Sequence, residues 1–124
     1  MYHAYNLFHD AALGRLINLA IVRIIRLETE SDEMNIAVTQ DAEKTLNAFC
    51  TWQDKVNPGD DCHPNHHDVA VLITRTNICV NDVQCGLLGI SKLAGTCDSK
   101  LSCCLCQDDG LKLGYVIAHE LAHS

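Results

Sequence analysis

Residues 115–124, Tyr-Val-Ile-Ala-His-Glu-Leu-Ala-His-Ser, constrain this chain more than any other stretch. Read as a helix, they set His119 and His123 one turn apart on one face, since residues three and four apart are neighbours on a helix surface. Two imidazoles so placed can reach a single tetrahedral zinc ion, the arrangement in which H-E-x-x-H binds metal. Glu120 lies beside that point and is not a ligand. In such a helix it takes a proton from zinc-activated water and passes it to a leaving amine. A five-residue pattern also arises by chance on a solvated helix, so the rest of the chain has to decide.

At 124 residues the chain is one domain or part of one, near the size at which about two-thirds of the surface is buried on folding. Its 48% apolar and 20% charged residues exclude wholesale disorder. A net charge of −7 argues against a nucleic-acid surface, which wants a basic stripe. The acidic excess suits either calcium ligation or an ordinary soluble surface. Eight cysteines indicate a disulfide framework if the domain is secreted, and metal or redox chemistry if it is cytosolic; the sequence alone does not choose the pairing. Met1-Tyr-His-Ala-Tyr-Asn lacks the pattern of a signal peptide. Leu16–Leu27, interrupted by Asn18, Arg23 and Arg26, is too short and too charged to span a membrane. An exported protein's cysteines without an export signal suggest a piece of a longer precursor.

Along the chain, Tyr2 to Leu13 reads as a short amphipathic helix with Tyr5, Phe8 and Ala12 on one face, stopped by Gly14. Leu16–Leu27 is rich in branched residues and reads as a central strand apolar on both faces. Glu28–Glu33 is an acidic turn. Thr39 is a candidate N-cap for a helix carrying Ala42, Leu46, Phe49 and Val56, with Asp41 and Glu43 in its first turn, ended by Asn57-Pro58-Gly59. Val69–Thr74 is a second buried strand. Strand, helix, strand in that order predicts a right-handed crossover with parallel pairing. Asn77–Cys106 reads as one edge strand and a cysteine-stapled loop, and Asp108-Asp109-Gly110 precedes the last helix. The fold class is α/β, with the candidate catalytic helix last.

Several separate stretches then resemble one family in the same order. They are Asn47-Ala-Phe49-Cys50-Thr-Trp52-Gln53, His66-His67-Asp68-Val-Ala-Val-Leu-Ile-Thr74-Arg75, and Asp108-Asp109-Gly110-Leu111 ahead of Ala118-His119-Glu120-Leu121. Together they resemble the metalloprotease domain of the ADAMTS proteases (a disintegrin and metalloproteinase with thrombospondin motifs), of the adamalysin or reprolysin (M12B) branch of the metzincins. The resemblance runs over residues 1–124, a partial metalloprotease domain. It implies a mixed twisted sheet with flanking helices and a C-terminal active-site helix, incomplete at both ends: a first strand would precede Tyr2. It also implies a secreted zinc endopeptidase, supported by calcium and acting on extracellular matrix proteins, with no nucleic-acid partner and no membrane span. The metzincin signature continues through a third histidine and a methionine turn. That histidine would fall beyond Ser124, and neither Met1 nor Met34 is placed for the turn. The expectation is a zinc site with His119 and His123 as ligands and Glu120 as general base, and a chain inactive by itself.

The same resemblance implies disulfides Cys50–Cys103 and Cys79–Cys85, with Cys97 paired beyond the chain end and Cys62, Cys104 and Cys106 unassigned. A second metal cluster of such cysteines with His63, His66 and His67 is the minor reading; extra disulfides or free thiols are the plain one. The family's loop calcium ligands fall on Asn77, Leu87 and Gln107, which have lost the carboxylates, so that site is expected to be weak or lost. Asp61 and Asp68 match another family calcium site whose glutamate partner would lie in the first strand. Gly89 and Ile90 occupy the edge strand that would pair with an extended substrate. Ala122 replaces a family glycine and is the better helix former by roughly 1 kcal/mol. Two other classes remain open: a non-catalytic remnant or protein-binding module derived from such a protease, and an intracellular Cys/His zinc domain.

Overall fold

A computed structural model describes residues 2–10, 14–28, 36, 38–81 and 83–124. Ala12, residues 29–33 of the acidic turn, and Met34 lie outside the described residues.

The organising element is a strand that the sequence reading placed inside a loop. Cys103–Gln107 (β5) is central in a three-stranded sheet of order β1-β5-β4, in which β1 is Ala70–Thr74 and β4 is Gly89–Ser91. β1 runs parallel to β5, from Ala70 opposite Cys103 to Thr74 opposite Gln107. β4 runs antiparallel, with Gly89 opposite Cys106 and Ile90 opposite Leu105. Ile78–Val80 (β2) and Gln84–Leu87 (β3) form a separate hairpin. Four strands therefore lie where one edge strand was expected.

Side chains alternate across a strand, and β5 uses both of its faces. Cys103 and Leu105 pack on one side with Leu72, Ile78 and the helix Ala42–Val56 (α2), through Ala42, Leu46, Phe49 and Cys50. Cys104 and Cys106 pack on the other with Ala4 and Phe8 of Tyr2–Phe8 (α1) and Val116, Ile117 and Ala118 of Leu113–His123 (α3). Burial on both faces marks a central strand, and here two thiols serve as small hydrophobes.

Leu16–Leu27 is not the central strand. It pairs with no strand among the described residues, and Leu16 and Ile24 are 72% and 82% exposed. An apolar run becomes a strand only where a neighbour accepts its backbone groups, and both places beside the central strand β5 are taken by β1 and β4. The segment is tied instead by a 3.0 Å bond between His9 Nε2 and Asn18 Oδ1 and by Leu19 against the α1–α3 core. The parallel crossover joins β1 to β5. α1 ends at Phe8, and its buried face is Ala4 and Phe8, with Tyr5 exposed.

The N-cap of α2 is Asp41, not Thr39. Its carboxylate accepts from Lys44 N at 3.0 Å, and that backbone bond holds the carboxyl below its ordinary range. Thr39 turns to Thr45 instead, its N–H donating to Thr45 Oγ1 at 3.0 Å. At the far end, Asn57 brackets His67, donating to its carbonyl at 2.9 Å and accepting from its N–H at 3.1 Å. Gln53, fully buried, donates to Ser99 O, while its Oε1 lies 2.9 Å from His67 Nε2.

Partial burial pushes the His67 pKa below its ordinary 6.5. Its protonation therefore favours unfolding: the stability it contributes is present above pH 6.5 and is lost as pH falls through the folded pKa. The urea midpoint should drop between neutral pH and pH about 5, and His67→Gln should shrink that drop. An unchanged pH dependence in the variant would contradict the assignment.

Candidate metal centre

Helix α3 is set in place from both ends. Asp108 opens the approach: its N–H donates to Thr74 O at 2.7 Å and its carboxylate accepts from Gly110 N at 3.1 Å. Arg75 Nε lies 3.3 Å from the other oxygen. The Gly110 amide, then the guanidinium, holds the Asp108 carboxyl below the usual carboxylate range. Gly110 takes φ +72°, a left-handed turn that suits glycine. At the other end Ala94 N donates to His123 O at 2.9 Å and Thr96 N to Ser124 O at 3.0 Å, so the 94–96 loop satisfies carbonyls of the last turn. Along its length Gly114 lets α1 approach closely, since an added Cβ there would stand 2.8 Å from His3 Cβ.

This framing buries Val116, Ile117, Ala118 and Glu120 and leaves His119 and His123 exposed. The Nε2 atoms of the two histidines lie 2.9 Å apart with the rings edge to face. Two nitrogens bound at about 2.0–2.1 Å to one tetrahedral zinc sit about 3.3 Å apart, so a slight rotation of either ring suffices. The donor pair fits zinc. Among the described residues, no three His, Cys, Asp or Glu side chains form a group that could hold a metal. The histidine pair is therefore what this stretch offers.

Glu120, 5% exposed, lies against Gly89 at the start of β4. A cleft of about 570 Å³ opens there, lined by Gly86, Leu87, Leu88 and Gly89 and by Tyr115, Val116, His119 and Glu120. Tyr115 and Val116 were not singled out from the sequence. Their positions four and three residues before His119 were the available signal. Ile90 continues β4, whose outer edge carries no strand among the described residues.

The candidates that follow do not line this cleft. Asp61 and Asp68 are exposed and sit 3.4 and 3.9 Å from His66 Nε2, and His66 Nδ1 lies 2.7 Å from Pro58 O. His63 Nδ1 accepts from Asn65 N at 3.1 Å. Gln107 Oε1 accepts from Ile78 N at 3.1 Å, so its carbonyl is already engaged. Disulfides join Cys50 to Cys103 and Cys79 to Cys85. Cys62 and Cys97 are exposed thiols; Cys104 and Cys106 are buried ones. Hydrogen bonding to Cys106, then burial, pushes the Cys104 thiol far above its ordinary range. Cys104 and Cys106 lie in the α1–α3 core, away from the histidines of the 60–68 loop, which turn to other partners.

A twisted mixed sheet backed by helices, with paired histidines beside a cleft along an edge strand, is the layout of a metalloprotease catalytic domain. The model of the reprolysin (M12B) family of zinc metalloproteases matches residues 7–124, and the chain belongs to that family. It is 48% identical over 119 residues to mouse "A disintegrin and metalloproteinase with thrombospondin motifs 12" and 45% identical over 119 residues to mouse "A disintegrin and metalloproteinase with thrombospondin motifs 7". It is 41% identical over 118 residues to "A disintegrin and metalloproteinase with thrombospondin motifs gon-1" of Caenorhabditis elegans. These matches take in 95% of this chain but only 7%, 7% and 5% of those relatives.

Proposed function

We propose that this chain is the part of a secreted zinc metalloendopeptidase domain that supplies two zinc ligands, His119 and His123, and the general base Glu120. The observation that carries the reading is the 2.9 Å approach of the two Nε2 atoms, with Glu120 of the same helix lining the same cleft. Zinc, when bound, supplies Lewis acidity and lowers the pKa of water to about 7. Glu120 takes a proton from the attacking water and delivers it to the leaving amine. Leu87, Leu88 and Val116 offer an apolar wall to a substrate side chain, and the open edge at Gly89 and Ile90 receives an extended backbone by strand addition. Resemblance to the ADAMTS proteases supports extracellular matrix proteins as the substrate class. Two disulfides support a secreted location. No described helix is long and apolar enough to cross a membrane.

A catalytic zinc takes three protein ligands, and this stretch carries two. The 124-residue chain alone is expected not to cleave casein. Zinc-dependent cleavage by the purified chain, abolished by Glu120→Gln, would overturn that expectation. Calcium support is proposed to be weak, because Leu87 offers no side-chain oxygen and Gln107 is a neutral amide whose Oε1 already accepts from Ile78 N. Titration should show nothing tighter than about millimolar, and a micromolar site lost on Gln107→Ala would contradict it.

The engaged Gln107 and the buried thiols at Cys104 and Cys106 favour one second reading, a non-catalytic module descended from such a protease. Loss of zinc uptake at His119 and His123 would select it.

A further inference from the structure

We infer that Gly89 is a positioning residue, whose missing side chain makes the place in which the Glu120 carboxylate is held at the cleft wall. The inference rests on the reading of Glu120 as general base. A Cβ built at Gly89 would lie 2.6 Å from Glu120 Oε1, 2.8 Å from Cγ and 2.9 Å from Cδ. Non-bonded carbons settle at about 3.5–4.0 Å, so the two carbon contacts are far inside the repulsive range, and the approach to Oε1 is shorter still. The neighbours met are atoms of the glutamate side chain itself.

Conformational freedom does not explain glycine at this position. The glycines with positive φ are Gly14, Gly86 and Gly110, and Gly89 is an ordinary strand residue opposite Cys106. Neither backbone can retreat cheaply. β4 is hydrogen-bonded to β5, the central strand. α3 is pinned by Val116, Ile117 and Ala118 in the core and by the 94–96 loop at its end. With both supports fixed, the Glu120 side chain is what must yield to a methyl group at residue 89. This also explains why Glu120 is 5% exposed while His119 and His123, on the same helix, are open to solvent. A carboxylate seated against a bare strand keeps one orientation toward the cleft, which a proton-transfer group requires.

The test is carbodiimide coupling of an amine to carboxylates in the folded 124-residue chain, read residue by residue by peptide mass spectrometry. In Gly89→Ala, Glu120 should couple on the order of tenfold faster, as local opening exposes it, while Asp41 and Asp108 keep their native rates. Gly59→Ala is the control, since an added Cβ there meets nothing within 4 Å. Native-rate coupling of Glu120 in folded Gly89→Ala would overturn the inference. A thermodynamic cycle covers the case in which that variant folds poorly. Gly89→Ala should lower the melting temperature when Glu120 is present and leave it unchanged in a Glu120→Ala background; an equal drop in both backgrounds would overturn the inference. Failure of the native chain to take up zinc is a separate result. It would defeat the reaction that Gly89 serves, while the coupling rates still decide whether Gly89 holds Glu120.

Discussion

Replacing Cys50 and Cys103 together by alanine is expected to lower folding stability by about 4 kcal/mol, because the bond closes a long loop in the unfolded chain. The two cysteines are 53 residues apart and join α2 to the central strand. The same chain-entropy reasoning gives the Cys79–Cys85 bond, with its separation of 6 residues, only about 2 kcal/mol. Urea unfolding of the two double variants under non-oxidising handling measures both. The expected order is a larger loss for the long loop; cavity formation adds to both variants, since Cys103 and Cys79 are both fully buried. Equal losses would mean that the Cys50–Cys103 bond does not brace α2 against the sheet.

Leu105→Ala is expected to cost about 2–5 kcal/mol, the range for a leucine removed from a packed core. Leu105 is fully buried in the central strand and packs with Leu46, Phe49 and Leu72. Leu111→Ala is the matched control: Leu111 is 98% exposed, and its loss should change stability by no more than about 0.5 kcal/mol. If the two leucines cost the same, β5 is not the centre of this fold.

The Cys50–Cys103 bond was given by the family resemblance, whereas Leu105 lies on a strand that the sequence made hard to read. Helix α2 was legible from its apolar spacing and from Asn57-Pro58-Gly59, and α3 from the His-Glu-His stretch, because helical periodicity is local. β5 was not. Cys-Cys-Leu-Cys-Gln carries no β-branched or aromatic strand formers, and its burial on both faces comes from α1 and α2, distant in sequence, and from α3, the next helix along the chain. Leu16–Leu27 misled in the opposite sense. Its composition suits a buried strand, but pairing depends on a neighbour that composition does not reveal. The Asp41 cap was mistaken for Thr39 by two positions, since both side chains can accept a backbone bond and only Asp41 meets Lys44 N.

At the candidate site, the placement of His119, Glu120 and His123 on one helix was legible because helical spacing is local. The cleft opposite them was partly legible: Gly89 and Ile90 were placed on an edge strand from the family pattern. That Gly89 is a spacer for Glu120 depends on the approach of β4 to α3, a tertiary distance without a sequence signal. Cys104 and Cys106 fill space beneath the helix, and a protonated buried thiol contributes packing rather than chemistry.

The central claim is that His119 and His123 together bind zinc. Equilibrium dialysis of the 124-residue chain against zinc, with bound metal counted by mass spectrometry, tests it directly. The account predicts saturation at about one zinc per chain, lost in His119→Ala/His123→Ala and retained in His63→Ala/His66→Ala. Undiminished zinc uptake by the His119→Ala/His123→Ala variant would contradict it.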